Sequence, residues 1–156
     1  MSTQLWFLNN LATVHVNEPS LGIVELTGAP GDAPPLHLHT DEDETFYVLD
    51  GEVTVRIAGQ DALVLGCGQA AFAPRGVPHT YLVTSTTPAS WLGTSTGPQF
   101  ATFVQALSTP AARPALPSDV EIDPEHVAAV AARHGIELLG PPGTLPQAPG
   151  VAATAR

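Results

Sequence analysis

The chain contains no lysine. Its five basic residues are all arginines, set against 15 acidic residues, and the formal net charge is -10. Such a surface repels phosphate backbones and anionic headgroups, so neither nucleic acid nor a membrane surface is an expected partner. Cysteine is equally scarce. Cys67 stands alone, so no intramolecular disulfide can form, which fits a reducing compartment. No stretch approaches the roughly 18 apolar residues that a membrane helix needs. The opening MSTQLWFLNNLATVHV lacks the positive n-region and apolar run of a signal peptide. A cytoplasmic location is expected. Also missing are a phosphate loop, a dinucleotide fingerprint and a Gly-x-Ser-x-Gly elbow, so the sequence supports neither nucleotide chemistry nor Ser-His-Asp hydrolysis.

What is present reads as short strands. Runs of Val, Thr, Ile, Leu and Phe are broken at short intervals by Gly, Pro, Asp and Asn, the first near Thr13 to Val16 and the last near Phe100 to Leu107. That rhythm predicts an all-β sandwich or barrel over residues 1–112. Residues 113–156 form an extension with one helix, at about 124–134. Asp123 suits its N-cap, Pro124 its first position and Gly135 its C-terminal stop. Beyond Gly140 the sequence PPGTLPQAPGVAATAR predicts a loose tail or a strap over the barrel.

The segment ETFYVLDGEVTVRI is the most informative. Asp50-Gly51 is a strong hairpin turn, which would place Val48 opposite Val53, Phe46 opposite Val55 and Glu44 opposite Ile57. Strict alternation then puts Phe46, Val48, Val53, Val55 and Ile57 on the barrel interior, with Glu44 on the same face. A carboxylate buried there costs several kcal/mol unless it is paired or ligates a metal. Arg56 points outward in this register. In PPLHLHTDED, just upstream, His37 and His39 point the same way on a strand, and His79 follows the turn PRGVP. Three imidazoles and one carboxylate suit Fe, Ni, Mn, Co, Cu or Zn.

Other polar residues have plainer explanations. Asp41, Glu42 and Asp43 read as a solvated acidic loop. Cys67, between two glycines, reads as a turn residue. His15 has no partner in view, and the helix dipole accounts for His134 near the end of its helix. His126 needs no role as a ligand.

The spacing Gly31-x5-His37-x-His39-x4-Glu44-x6-Gly51 resembles the first motif of the cupin superfamily. Gly68-x5-Pro74-x-Gly76-x2-His79 resembles the second, with Val83 where the family usually has asparagine. The motifs occupy residues 31–51 and 68–83. The resemblance implies a double-stranded β-helix with metal ligands His37, His39, Glu44 and His79, and commonly a homodimer. HTDEDETFYVLDGEVTVRIAG and the C-terminal segments are similar to single-domain cupins related to quercetin 2,3-dioxygenases. This implies a metal-dependent dioxygenase acting on a flavonol-like or other enolisable aromatic small molecule. Glu44 would be both ligand and base, and Phe46, Val48, Val55, Tyr81 and Trp91 would line the substrate pocket. A non-redox isomerase or polyketide cyclase, and a metal-containing binding protein, are the alternatives.

Overall fold

A computed structural model of the chain describes residues 2–150. In chain order the elements are β1 (Gln4–Phe7), β2 (Asn10–Glu18), β3 (Leu21–Gly28), β4 (Pro35–His39), β5 (Glu44–Asp50), β6 (Val53–Ile57), β7 (Leu63–Leu65), β8 (Ala70–Ala73), β9 (His79–Val83), β10 (Ala89–Ser95), α1 (Gln99–Leu107), β11 (Ser108–Pro110), α2 (Pro124–Arg133) and β12 (Ile136–Pro142). The strands form two antiparallel sheets, ordered β11-β1-β2-β3-β10-β5-β8 and β12-β4-β9-β6-β7. This is the double-stranded β-helix expected from the sequence. The inward residues of β3, β5, β6, β9 and β10 make its core, from Val24 and Val48 to Val53, Val83 and Trp91. Among the described residues, no helix is long and apolar enough to cross a membrane.

The Asp50-Gly51 turn is not a hairpin. β5 pairs with β10 and β8, whereas β6 pairs with β9 and β7. The chain therefore crosses from one sheet to the other at this turn, and Gly51 supplies the positive φ of 75° that the crossing needs. The inward face predicted for β5 nevertheless stands, because alternation is a property of the strand and not of its partner. Glu44, Phe46 and Val48 are all buried.

Residues 100–107 are helical, contrary to the strand expected there. Phe100, Phe103, Val104 and Leu107 follow the spacing of one helix face, which the β rhythm of the preceding hundred residues obscured. Glu42 secures the start of this helix. It is 3% exposed, and its two carboxylate oxygens accept from the backbone N–H groups of Gln99 at 2.6 Å and Phe100 at 3.1 Å. It therefore does not belong to a solvated acidic loop: a carboxylate at a helix N-terminus satisfies donors that have no intrahelical partner. The neighbour of Glu42, Asp43, accepts from Arg75 of the β8–β9 loop.

The C-terminal extension does more than trail across the surface. α2 starts as predicted, with Asp123 accepting from the N–H groups of Glu125 and His126. β12 then runs along β4, pairing Ile136 with His39, Leu138 with His37, Gly140 with Leu36 and Pro142 with Pro35. Pro141 and Pro142 are tolerated because β12 is an edge strand, where a missing N–H costs no ladder bond. Residues 151–156 of the expected tail lie outside the described residues.

Replacing Glu42 with Ala leaves two helix N–H groups, one buried and one part-buried, without acceptors, an expected loss of about 2 kcal/mol. Thermal melting checks this: the midpoint should fall by roughly 4–8 °C for a chain of this size. An unchanged midpoint would show that the loop and α1 are held together by something else.

Candidate metal centre

Four side chains from three strands meet at one end of the barrel. β4 supplies His37 and His39, β9 supplies His79 and β5 supplies Glu44. His37 and His79 are direct partners on neighbouring strands, and their rings lie 4.5 Å apart. The rings of His39 and His79 stack at 5.4 Å. Glu44 reaches in from the other sheet, so the cluster joins both layers. One donor atom from each of the four residues lies within 4.8 Å of the others. His39, Glu44 and His79 are only 2%, 3% and 1% exposed.

The tautomers are fixed from behind. The carbonyl of Pro35 accepts from His37 Nδ1 at 2.7 Å, and the carbonyl of Val77 accepts from His79 Nδ1 at 2.9 Å. A carbonyl can only accept, so Nδ1 carries the proton and the neutral ring presents a bare Nε2. Yet His79 Nε2 lies 3.0 Å from Glu44 Oε2. His39 Nε2 lies 3.0 Å from the same oxygen, off the hydrogen-bond line, and both ring nitrogens of His39 lack a hydrogen-bond partner among the described residues. The Nε2 of His79, bare in this tautomer, faces a carboxylate oxygen at 3.0 Å, an approach that a proton or a metal ion between them would reconcile.

The protonation energetics point the same way. Burial, reinforced by the neighbouring imidazoles of His79 and His39, lowers the pKa of His37 to about 3. His37 is thus neutral across the physiological range. Burial pushes the carboxyl of Glu44 up, but the neighbouring imidazoles of His39 and His79 outweigh it and hold the group well below the usual carboxylate range. The His39 ring moves in the complementary direction: burial opposes its charge, but Glu44 raises its pKa. An ionised carboxylate and at least one obligatorily neutral imidazole, backed by carbonyl hydrogen bonds, form a donor set that fits a divalent transition metal.

His37, His39 and Glu44 of the cluster border a cavity of about 580 Å³. Phe46, Tyr81 and Trp91 border it. Val48 and Val55 do not. Both are fully buried further along their strands, in the filled interior, where Val48 pairs with Trp91 and Val55 with Tyr81. The rest of the wall carries no signal in the strand pattern. Phe100, on the helix that stands where a strand was expected, makes an edge contact with His39 at 5.7 Å. Val127 of α2 and Ile136 and Leu138 of β12, the latter two paired with His39 and His37, complete the wall. Only the heptad-like spacing after Gly97 could have revealed Phe100.

The remaining polar residues lie elsewhere. His15 does have a partner, Glu25 at 2.9 Å across the β2–β3 pair, but both are solvated. His134 bonds the carbonyl of Val130 within its own helix. Cys67 is exposed in its turn, against the carbonyl of Leu49.

Residues 24–94 match the model of the cupin domain family. Among curated proteins, quercetin 2,3-dioxygenase of Bacillus subtilis (strain 168) is 41% identical over 83 residues, covering 51% of this chain and 24% of that protein. Germin-like protein subfamily 2 member 2 of Arabidopsis thaliana is 33% identical over 109 residues, covering 67% and 50% respectively. The chain thus spans half or less of the length of these relatives. Among solved structures, TT1209 from Thermus thermophilus superposes with a TM-score of 0.53 at 30% identity, covering 57% of this chain and 84% of that one. KdgF from Halomonas sp. gives the same TM-score at 21% identity, covering 58% and 79%, a likeness of fold alone.

If these four side chains hold a metal, a chelator should destabilise the purified protein and a divalent transition metal should restore it. Metal at about 100 times its Kd stabilises by about 2.7 kcal/mol. Glu44→Ala should abolish that thermal shift, and His15→Ala should leave it intact. A shift that survives Glu44→Ala would place the metal elsewhere.

Proposed function

Because residues 24–94 form a cupin domain, we propose that this protein is a metal-dependent enzyme, a dioxygenase acting on a flavonol-like or other enolisable aromatic small molecule. The observation that carries the reading is the position of Glu44: an ionised, 3%-exposed carboxylate at the imidazole-lined end of an otherwise largely apolar cavity. The cavity volume falls within the roughly 300–1,000 Å³ typical of small-molecule sites. The local likeness to quercetin 2,3-dioxygenase supports the choice of substrate class.

A divalent metal held by His37, His39, Glu44 and His79 would supply Lewis acidity and open positions for substrate oxygen. The chain's own residues do the rest. Phe46, Tyr81, Trp91 and Phe100 take up the aromatic skeleton and exclude water from the reacting end. The carbonyls of Pro35 and Val77 keep His37 and His79 in one tautomer throughout. Glu44 Oε2 is shared between His39 and His79, so Oε1 is the oxygen that takes the proton of the substrate's enolic hydroxyl. Loss of that proton leaves an electron-rich enolate, the form of such a substrate that dioxygen can oxidise. A proton acceptor in this role contributes about 10²–10⁴-fold to rate.

Oxygen uptake tests the reading. Protein loaded in turn with Fe, Ni, Mn or Co should consume oxygen in the presence of flavonols. Glu44→Gln should lose at least about 10²-fold in turnover if the carboxylate is the base. Product formed equally without oxygen would point instead to a non-redox isomerase or cyclase at the same centre. Ligand binding with no turnover under any condition would leave a small-molecule binding protein.

A further inference from the structure

The cavity has a second polar focus, separated from the first by aromatic rings. The ring of Phe46 lies 6.1 Å from that of His79 on one side and 6.1 Å from that of Tyr81 on the other. Beyond it, the hydroxyl of Tyr81 donates to Asp32 Oδ2 at 3.2 Å, and Asn10 Nδ2 donates to the same oxygen at 2.9 Å. Asp32 Oδ1 takes neither of these bonds. Asn10, Asp32 and Tyr81 all border the cavity.

The arrangement is built into the fold. Asp32 is fixed by its backbone, its N–H donating to the carbonyl of Ala29 and its own carbonyl accepting from Val83. At Gly28 an added Cβ would come within 2.8 Å of Asp32 Oδ2, 2.9 Å of Asn10 Nδ2 and 3.3 Å of the Trp91 ring, so the glycine makes room for the group. Trp91 is fully buried, and its indole N–H has no partner among the described residues. Asp32 Oδ2 satisfies two buried donors, Asn10 and Tyr81, which leaves Oδ1 as the oxygen without a bond from either.

The charge selects the ligand. Among the described residues no arginine borders the cavity, and the chain has no lysine. A carboxylate or phosphate at this end would face Asp32 without compensation. A neutral hydroxyl, by contrast, can donate to it. Burial also pushes the carboxyl of Asp32 up despite the two hydrogen bonds it accepts, so a further donor has something to stabilise.

We propose that Asp32, positioned by Asn10 and Tyr81, is a specificity subsite for a second hydroxyl on the substrate, at the end of the aromatic skeleton remote from Glu44. The proposal rests on the reading of this cavity as the substrate site. It deepens that reading from an enolisable aromatic to a polyphenol that binds at both ends. A site built to hold a hydroxyl discriminates strongly against the analogue lacking it, because its polar groups are then left unpaired.

Calorimetric titration of the metal-loaded full chain with four probes separates the two ends. The probes are flavone, flavonol, flavone with a para-hydroxyl on its pendant phenyl ring, and the compound carrying both hydroxyls. The pendant hydroxyl should tighten binding at least tenfold in the wild type and less than twofold in Asp32→Ala, with affinity for plain flavonol unchanged. Replacing the pendant hydroxyl with a carboxylate should weaken binding in the wild type, and the isosteric Asp32→Asn should relieve that penalty even if the alanine variant folds poorly. No gain from the pendant hydroxyl, or a gain that survives Asp32→Ala, overturns the subsite. A pendant gain without any gain from the flavonol hydroxyl keeps the subsite and sinks the enolic reading of the metal end.

Discussion

The carboxylate of Glu44 and the three imidazoles around it are the constraint on which the rest of this structure depends. A lone ionised carboxylate at 3% exposure would cost several kcal/mol. Here His39 and His79 both approach one of its oxygens at 3.0 Å, while carbonyls behind His37 and His79 fix where their protons sit. Because Glu44 comes from the seven-stranded sheet and the histidines from the five-stranded one, the cluster also ties the two layers together at the open end of the barrel. A shared cation would turn an electrostatic liability into a tie between the sheets.

Around that cluster the fold is arranged in shells. Glu42, two residues upstream of Glu44, anchors the first turn of α1 and thereby holds Phe100 against His39. β12 extends the histidine-bearing sheet and brings Ile136 and Leu138 to the cavity wall. One short acidic segment, residues 42–44, thus carries both a member of the cluster, at the start of β5, and the clamp for the helix beside it. The extension after the barrel strands closes the space a substrate would occupy.

Much of this was legible in the sequence for a simple physical reason. Alternation belongs to a single strand, so Glu44, Phe46 and Val48 could be placed inside even though the hairpin invoked to pair them does not exist. His37 and His39 share a strand and hence a direction, and motif spacing placed His79 with them. What failed required knowledge of tertiary partners. Val48 and Val55 face inward as expected but lie in the filled part of the barrel, and alternation says nothing about depth along its axis. Glu42 looked solvated because the N–H groups it caps are 57 residues or more away in sequence. Gly140 and Pro142 read as breakers because only the three-dimensional sheet order reveals that β12 is an edge strand.

The most direct measurement of the central claim is X-ray absorption spectroscopy on the protein loaded with one equivalent of cobalt(II). A metal held by His37, His39, Glu44 and His79 predicts nitrogen and oxygen ligation only, with the outer-shell scattering of three imidazoles, and the loss of one imidazole contribution in His79→Ala. A site with fewer than three imidazoles, or one left unchanged by His79→Ala, would contradict it.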